Sequence, residues 1–126
     1  MLINISNHPV KSWSDKQLEA ARKTYKRLHD IPFPNVNPNA DSDEIMNLAE
    51  KYSSYIAEML SKSEDQNNAV HVMGEHSLIF TIVRLLQKKG ISCVVSTTER
   101  KSEVSGDEKR SKFNFVKFRE YPKDVC

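Results

Sequence analysis

The stretch that decides the fold runs from Ala69 to Arg100, "AVHVMGEHSLIFTIVRLLQKKGISCVVSTTER". It reads as a short buried strand, a sharp turn at Gly74, Glu75 and His76, an apolar helix, a stop at Gly90 and a second buried strand ending in polar residues. Parallel strands joined through a helix place both strand ends and the helix start on one edge of a sheet. Gly74, Glu75, His76, Thr97, Thr98, Glu99 and Arg100 are therefore expected to meet on that edge.

Toward the N-terminus, Leu2, Ile3 and Ile5 make a short strand closed by the turn formers Ser6, Asn7, His8 and Pro9. Ser14 to Gln17 reads as a capping box, and Leu18, Ala21, Tyr25 and Leu28 follow at helical spacing. Leu28 to Phe33 fits a short second strand before Pro34 and Pro38 impose a loop. Asp41 and Ser42 offer N-caps for a helix whose apolar face is Ile45, Leu48, Ala49, Tyr52, Ile56, Met59 and Leu60.

Inside the opening stretch, Leu78, Ile79, Phe80, Ile82, Val83, Leu85 and Leu86 form an apolar arc wider than one core stripe. It reads either as a central helix packed between neighbours or as a dimer interface. Beyond it, "ERKSEVSGDEKRSK" mixes charge signs around Gly106 and reads as a solvated hairpin. Phe113, Phe115, Val116, Phe118 and Tyr121 supply a last strand, expected to run antiparallel because the connector is too short and polar for a crossover helix. Its apolar residues on both faces predict two-sided burial or a bulge.

The element order β-α-β-α-β-α-β-β predicts a small Rossmann-like three-layer α/β sandwich over residues 1–126, one domain. The sheet order is expected to be 2-1-3-4-5, mostly parallel, with an antiparallel C-terminal strand. Ligands of such sheets sit beyond the carboxyl ends of the strands where the winding reverses, here between strands one and three.

With 126 residues the chain can bury roughly two-thirds of its unfolded surface and needs no covalent staples. A net charge of +2 is too small for bulk binding of long nucleic acid, though a compact anion held by a few local groups remains open. Cys93 sits in an apolar run and Cys126 is terminal, which gives neither a disulfide framework nor a metal knuckle and points to a reducing, cytoplasmic compartment. No segment approaches the roughly 20 apolar residues of a membrane helix, so no membrane partner is expected.

Candidate chemistry collects on the predicted edge. Gly74 with the first amides of the following helix makes an anion cradle, which Glu75 would oppose unless it caps the helix. Neither G-x-G-x-x-G nor a Walker A sequence is present, which disfavours dinucleotide oxidoreductases and P-loop enzymes. His71 and His76 flank "VMGE", unlike the helical zinc pattern, so no metal or other cofactor is expected. His71 alternates with Val70 and Val72 and reads as a packed structural residue.

His8 and His76 are acid-base candidates, or else a turn former and a helix cap. Thr97, Thr98 and Arg100 suit phosphate or ribose, with an ion pair of Arg100 to Glu99 or Glu75 as the structural alternative. Asn7 belongs to the same edge. Lys11 is placed to neutralise a phosphate, and Trp13 either stacks on a base or staples the Ser14 cap.

At these residues the chain resembles the small stand-alone accessory proteins of type III CRISPR systems, relatives of the CARF (CRISPR-associated Rossmann fold) domain. The resemblance rests on "NISNHP", "VHVMGEHSLIFTIVRLLQKKGI", "CVVSTTERKSE" and the closing "FNFVKFREY", about half the chain; Arg27 to Asn68 matches in element order alone. It implies a homodimer that binds a small cyclic oligoribonucleotide, a cyclic oligoadenylate, across its two-fold axis. It further implies a ring nuclease that cleaves the ligand without metal, a ribose 2′-hydroxyl attacking its own phosphate, or else a sponge that sequesters it. On that reading Arg100 and the Gly74 turn amides hold phosphate, Thr97 and Thr98 hold ribose or phosphate, and His8 or His76 is the acid-base group. A protein-interaction module using the wide apolar helix is the competing reading.

Overall fold

A computed structural model describes residues 1–106 and 108–123, and the side chains of all of these except 103–105 and 108–111. Strand β1 (Leu2–Ser6) is buried along its whole length. Its alternation turns Ile3 and Ile5 to one face and Leu2, Asn4 and Ser6 to the other. β1 pairs in parallel with β2 (Leu28–Pro32) and with β3 (Ala69–Val72), and β3 pairs in parallel with β4 (Cys93–Ser105). β5 (Glu108–Glu120) runs antiparallel to β4, giving the order β2-β1-β3-β4-β5 expected from the sequence.

Three helices cover the sheet: α1 (Asp15–Thr24), α2 (Ser42–Ser61) and α3 (His76–Lys88). α2 and α3 bury Ile45, Ala49, Ile56, Leu78, Ile82 and Leu86 against Ile3, Ile5, Val70, Val72 and Cys93. On the other face, α1 and the loop before it pack Ala21 and Trp13 onto Leu2, Ala69 and Val94. The result is a three-layer, Rossmann-like sandwich.

Local chemistry fixes each helix end. Ser14 Oγ accepts from the Gln17 amide at 3.2 Å, and Asp41 Oδ1 from the Glu44 amide at 2.9 Å. α3 closes at Gly90, whose φ of +75° is the left-handed cap that glycine adopts without a Cβ penalty. The wide apolar arc of α3 is explained by packing on two sides, against the sheet and against α2. Leu78, Ile82, Val83 and Leu86 are buried and Ile79 and Leu85 partly so, while Phe80 is exposed beneath the Arg84 guanidinium, 5.5 Å from the ring centroid.

The C-terminal pair departs from the sequence expectation in length. "ERKSEVSGDEKRSK" forms the hairpin around Gly106 that its sequence predicts, but the two strands are longer than expected, with β4 and β5 paired out to Ser105 and Glu108. Residues 98–102, 112 and 113 are exposed on whichever face they lie, and a strand wet on both faces requires no apolar alternation, so this polar stretch carries no strand signal. Residue 107 and Cys126 lie outside the described residues. The expected irregularity in the last strand is a bulge: Thr97 pairs with Lys117 and Thr98 with Phe115, which leaves Val116 as the extra residue.

One flaw remains in the α2 layer. The Ser53 side chain is buried and its hydroxyl has no hydrogen-bond partner among the described residues. Ser53→Ala removes a desolvated group and improves helix propensity, so urea unfolding should show a stability gain of about 1 kcal/mol; a loss would mean the hydroxyl is satisfied in solution.

Candidate functional site

Three polar residues lie side by side across the middle of the sheet. Asn4 on β1 is in register with Asp30 on β2 and with His71 on β3, so all three point to the α1 face. Asn4 Nδ2 donates to Asp30 Oδ1 at 2.9 Å and to the His8 carbonyl at 2.8 Å. Asn4 Oδ1 accepts from Ser6 Oγ at 2.8 Å and meets His71 Nδ1 at 2.8 Å. The row continues to β4, where the Ser96 amide donates to His71 Nε2 at 3.2 Å.

That last bond settles the His71 tautomer: Nε2 accepts, so Nδ1 carries the proton and gives it to Asn4. His71 is almost wholly buried, with Trp13 and Phe118 edge-on at ring-centroid distances of 5.3 and 5.6 Å. Burial, with a smaller contribution from repulsion by His8, pushes its pKa down to about 4. It is a neutral structural histidine, as its alternation with valines suggested.

At the carboxyl end of this row the loop after β1 forms a short 3-10 turn, Val10–Ser12. Asp30 Oδ1 and Oδ2 accept from the Val10 amide at 3.1 and 3.3 Å, and Trp13 Nε1 donates to the His8 carbonyl at 3.0 Å. Beside the turn lies a cleft of about 360 Å³ lined by Asn4, Asn7, Lys11, Asp30, Pro32 and Phe33, among others.

The expected site residues divide into two groups. Asn7, His8, Lys11 and His76 are exposed, and none of their side chains makes a hydrogen bond among the described residues. They flank the reversal of winding: the Met73 amide donates to the Ile5 carbonyl at 3.2 Å, which ties the carboxyl ends of β1 and β3 together. From there the chain leaves to opposite faces, toward α1 and toward α3.

The others are committed elsewhere. Trp13 is buried against His71 and Phe118 and does not stack in the open; at the position before the Ser14 cap it shares an apolar cluster with Leu18, as a staple of α1 requires. Gly74 packs against Phe33: a Cβ there would overlap the ring, so a side chain at this position requires Phe33 to move. The anion cradle is closed, because Glu75 caps α3 by accepting from the Ser77 and Leu78 amides at 3.1 and 2.9 Å. The Ser77 hydroxyl, then the Leu78 amide, hold the Glu75 carboxyl below its ordinary value, so a negative charge sits where a phosphate was expected.

Thr97 Oγ1 donates to the Lys117 carbonyl at 3.1 Å and accepts from its amide at 3.2 Å, which bridges the bulge. Thr98 and Arg100 are exposed on the hairpin. Arg100 stands over the Phe113 ring, 5.9 Å from its centroid, and four residues past Ser96, about 13 Å along the strand. It does not join the Gly74 turn.

Asn4 and Asp30 were missed by sequence reasoning, as was Ser6 beyond its role as a turn former. The available signal was the amide at position 4 between two isoleucines: in a strand buried on both faces it must find polar partners on its neighbours. Among the described residues no three His, Cys, Asp or Glu side chains gather as a metal site would require, and no helix is long and apolar enough to cross a membrane.

Residues 1–119 match the family described as "Uncharacterized protein MJ1673 family", and the chain belongs to it. No curated protein and no solved structure matches the chain.

The buried row makes stability depend on pH. Folded His71 stays neutral down to about pH 4, whereas in the unfolded chain it protonates near its ordinary value of 6.5. Its contribution is complete above pH 6.5 and is lost as pH falls toward 4, about 3 kcal/mol in all at 1.4 kcal/mol per unit. Urea unfolding at pH 7, 6, 5 and 4.5, above most carboxylate titration, should show this decline; a flat profile would mean that His71 is not held neutral.

Proposed function

We propose that this MJ1673-family protein binds a small cyclic oligoribonucleotide, a cyclic oligoadenylate of type III CRISPR defence, at the open edge between β1 and β3. One observation carries the reading. Asn7, His8, Lys11 and His76 stand exposed and uncommitted on both sides of the reversal of winding, where open α/β sheets take ligands. Lys11 supplies the charge for a phosphate, Asn7 paired donors and acceptors for ribose or base, and the two imidazoles groups able to exchange protons. The resemblance of the β1, β3–α3, β4 and β5 segments to CARF-related proteins suggests the ligand class.

In the catalytic form of the proposal, His8 or His76 takes the proton of a ribose 2′-hydroxyl as its oxygen attacks the adjacent phosphorus. The bond from phosphorus to the 5′-oxygen breaks, that oxygen is protonated, and a 2′,3′-cyclic phosphate remains. Lys11 offsets charge on the phosphorane. A second reading, capture without cleavage, is favoured by the Glu75 cap, which occupies the amides that would otherwise stabilise that charge.

The resemblance also suggests a symmetric dimer bringing two such edges to one ring, with exposed Phe80 and Met46 on the outer α2–α3 surface as candidate contacts. Sedimentation of the pure protein should give twice the monomer mass; a monomer at micromolar concentration would remove this element.

Calorimetric titration with cyclic tetra-adenylate, followed by product analysis with and without chelator, tests the whole. Binding is expected, and Lys11→Ala should weaken it about tenfold. Linear product that disappears in His8→Ala or His76→Ala supports catalysis, and binding without product supports capture. No binding by the wild type would overturn both.

A further inference from the structure

The loop carrying Asn7, His8 and Lys11 is fixed by groups other than those three side chains. Its His8 carbonyl accepts from Asn4 Nδ2 and Trp13 Nε1, and its Val10 amide donates to the Asp30 carboxylate. Within the turn, the Ser12 amide donates to the Pro9 carbonyl at 2.8 Å and the Trp13 amide to the Val10 carbonyl at 3.0 Å. Among these anchors Asp30 is the charged one, and it comes from a different strand, β2.

A carboxylate lining a cleft invites the reading that it touches the ligand. The geometry points elsewhere. Oδ1 is shared between Asn4 Nδ2 and the Val10 amide, and Oδ2 also faces that amide, so the carboxylate is turned toward the loop. By accepting from both groups at once, Oδ1 holds the loop backbone at a defined distance from β2.

We propose that Asp30 is a positioning residue: it ties β2 to the loop after β1 and thereby sets where Asn7 and Lys11 stand in the cleft. The proposal rests on the ligand reading above. Its physical content is preorganisation, since a loop already ordered by its own protein loses less freedom when a ligand arrives. Asn4 does the same from the buried side. Asp30, on an exposed edge strand, is the anchor that can be altered without opening the core.

The test compares Asp30→Ala with Asp30→Asn in the full chain, using cyclic tetra-adenylate as probe and amide hydrogen exchange as a ligand-free readout. Asparagine keeps an oxygen able to accept from Asn4 and Val10 but removes the charge. Positioning predicts that Asp30→Ala binds about tenfold more weakly and exchanges its Val10 amide about tenfold faster, while Asp30→Asn stays within about threefold of wild type on both. The Val70 and Val72 amides of β3 should stay protected in both variants, showing that the sheet is intact. Wild-type binding in Asp30→Ala, unchanged Val10 exchange, or an Asp30→Asn variant as impaired as Asp30→Ala would overturn the proposal. If the wild type fails to bind the probe, the ligand reading falls, and Val10 exchange still decides whether Asp30 holds the loop.

Discussion

The Asn4 side chain is the constraint on which the rest of the structure depends. It is buried in the second-innermost strand, and its amide must satisfy two donors and an acceptor oxygen away from water. It does so with the His8 carbonyl, Asp30, Ser6 and His71. Leaving one of those groups unpaired would cost about 1–3 kcal/mol, a large fraction of a small domain's stability. That cost favours a register in which Asp30 and His71 flank Asn4. It also draws the His8 carbonyl back over the end of β1.

From this follows a division of labour at the carboxyl edge. Backbone and buried side chains are consumed in fixing the loop, while the exposed side chains at positions 7, 8 and 11 remain uncommitted. The opposite wall is built differently. There Phe33 lies on Gly74, Glu75 closes the α3 amides, and His76 is left as the exposed imidazole. The Glu75 carboxylate caps one wall, while the β1 loop carries Lys11 in a cleft that Asp30 also lines.

Much of the fold was legible because its elements announce themselves by periodicity. The apolar arc of α3, the Gly90 stop and the valines of β3 give a β-α-β unit, and the Ser14 and Asp41 caps fix two helix starts. The hairpin around Gly106 was legible but the length of its strands was not, since the exposed residues 98–102, 112 and 113 show no alternation of apolar residues. The site was legible by position but only partly by role. Strand ends placed Asn7, His8, Lys11 and His76 at the edge, and their side chains are exposed. Trp13 and Thr97 were drawn inward by contacts that local sequence does not encode: the indole by His71 and Phe118, the hydroxyl by a bulge opposite Lys117. Asp30 stayed hidden because its importance lies in a cross-strand neighbour, a relation that exists only once the register is known.

A polar row running from Asp30 through Asn4 and His71 to the Ser96 amide organises the edge. Long-range proton–nitrogen NMR correlation of the His71 ring reads it most directly. A neutral ring is expected at pH 7, with the proton on Nδ1 and an unprotonated Nε2, persisting as pH is lowered to about 4. A proton on Nε2, or titration at the ordinary histidine value, would mean that the row is broken at its centre and does not organise the edge.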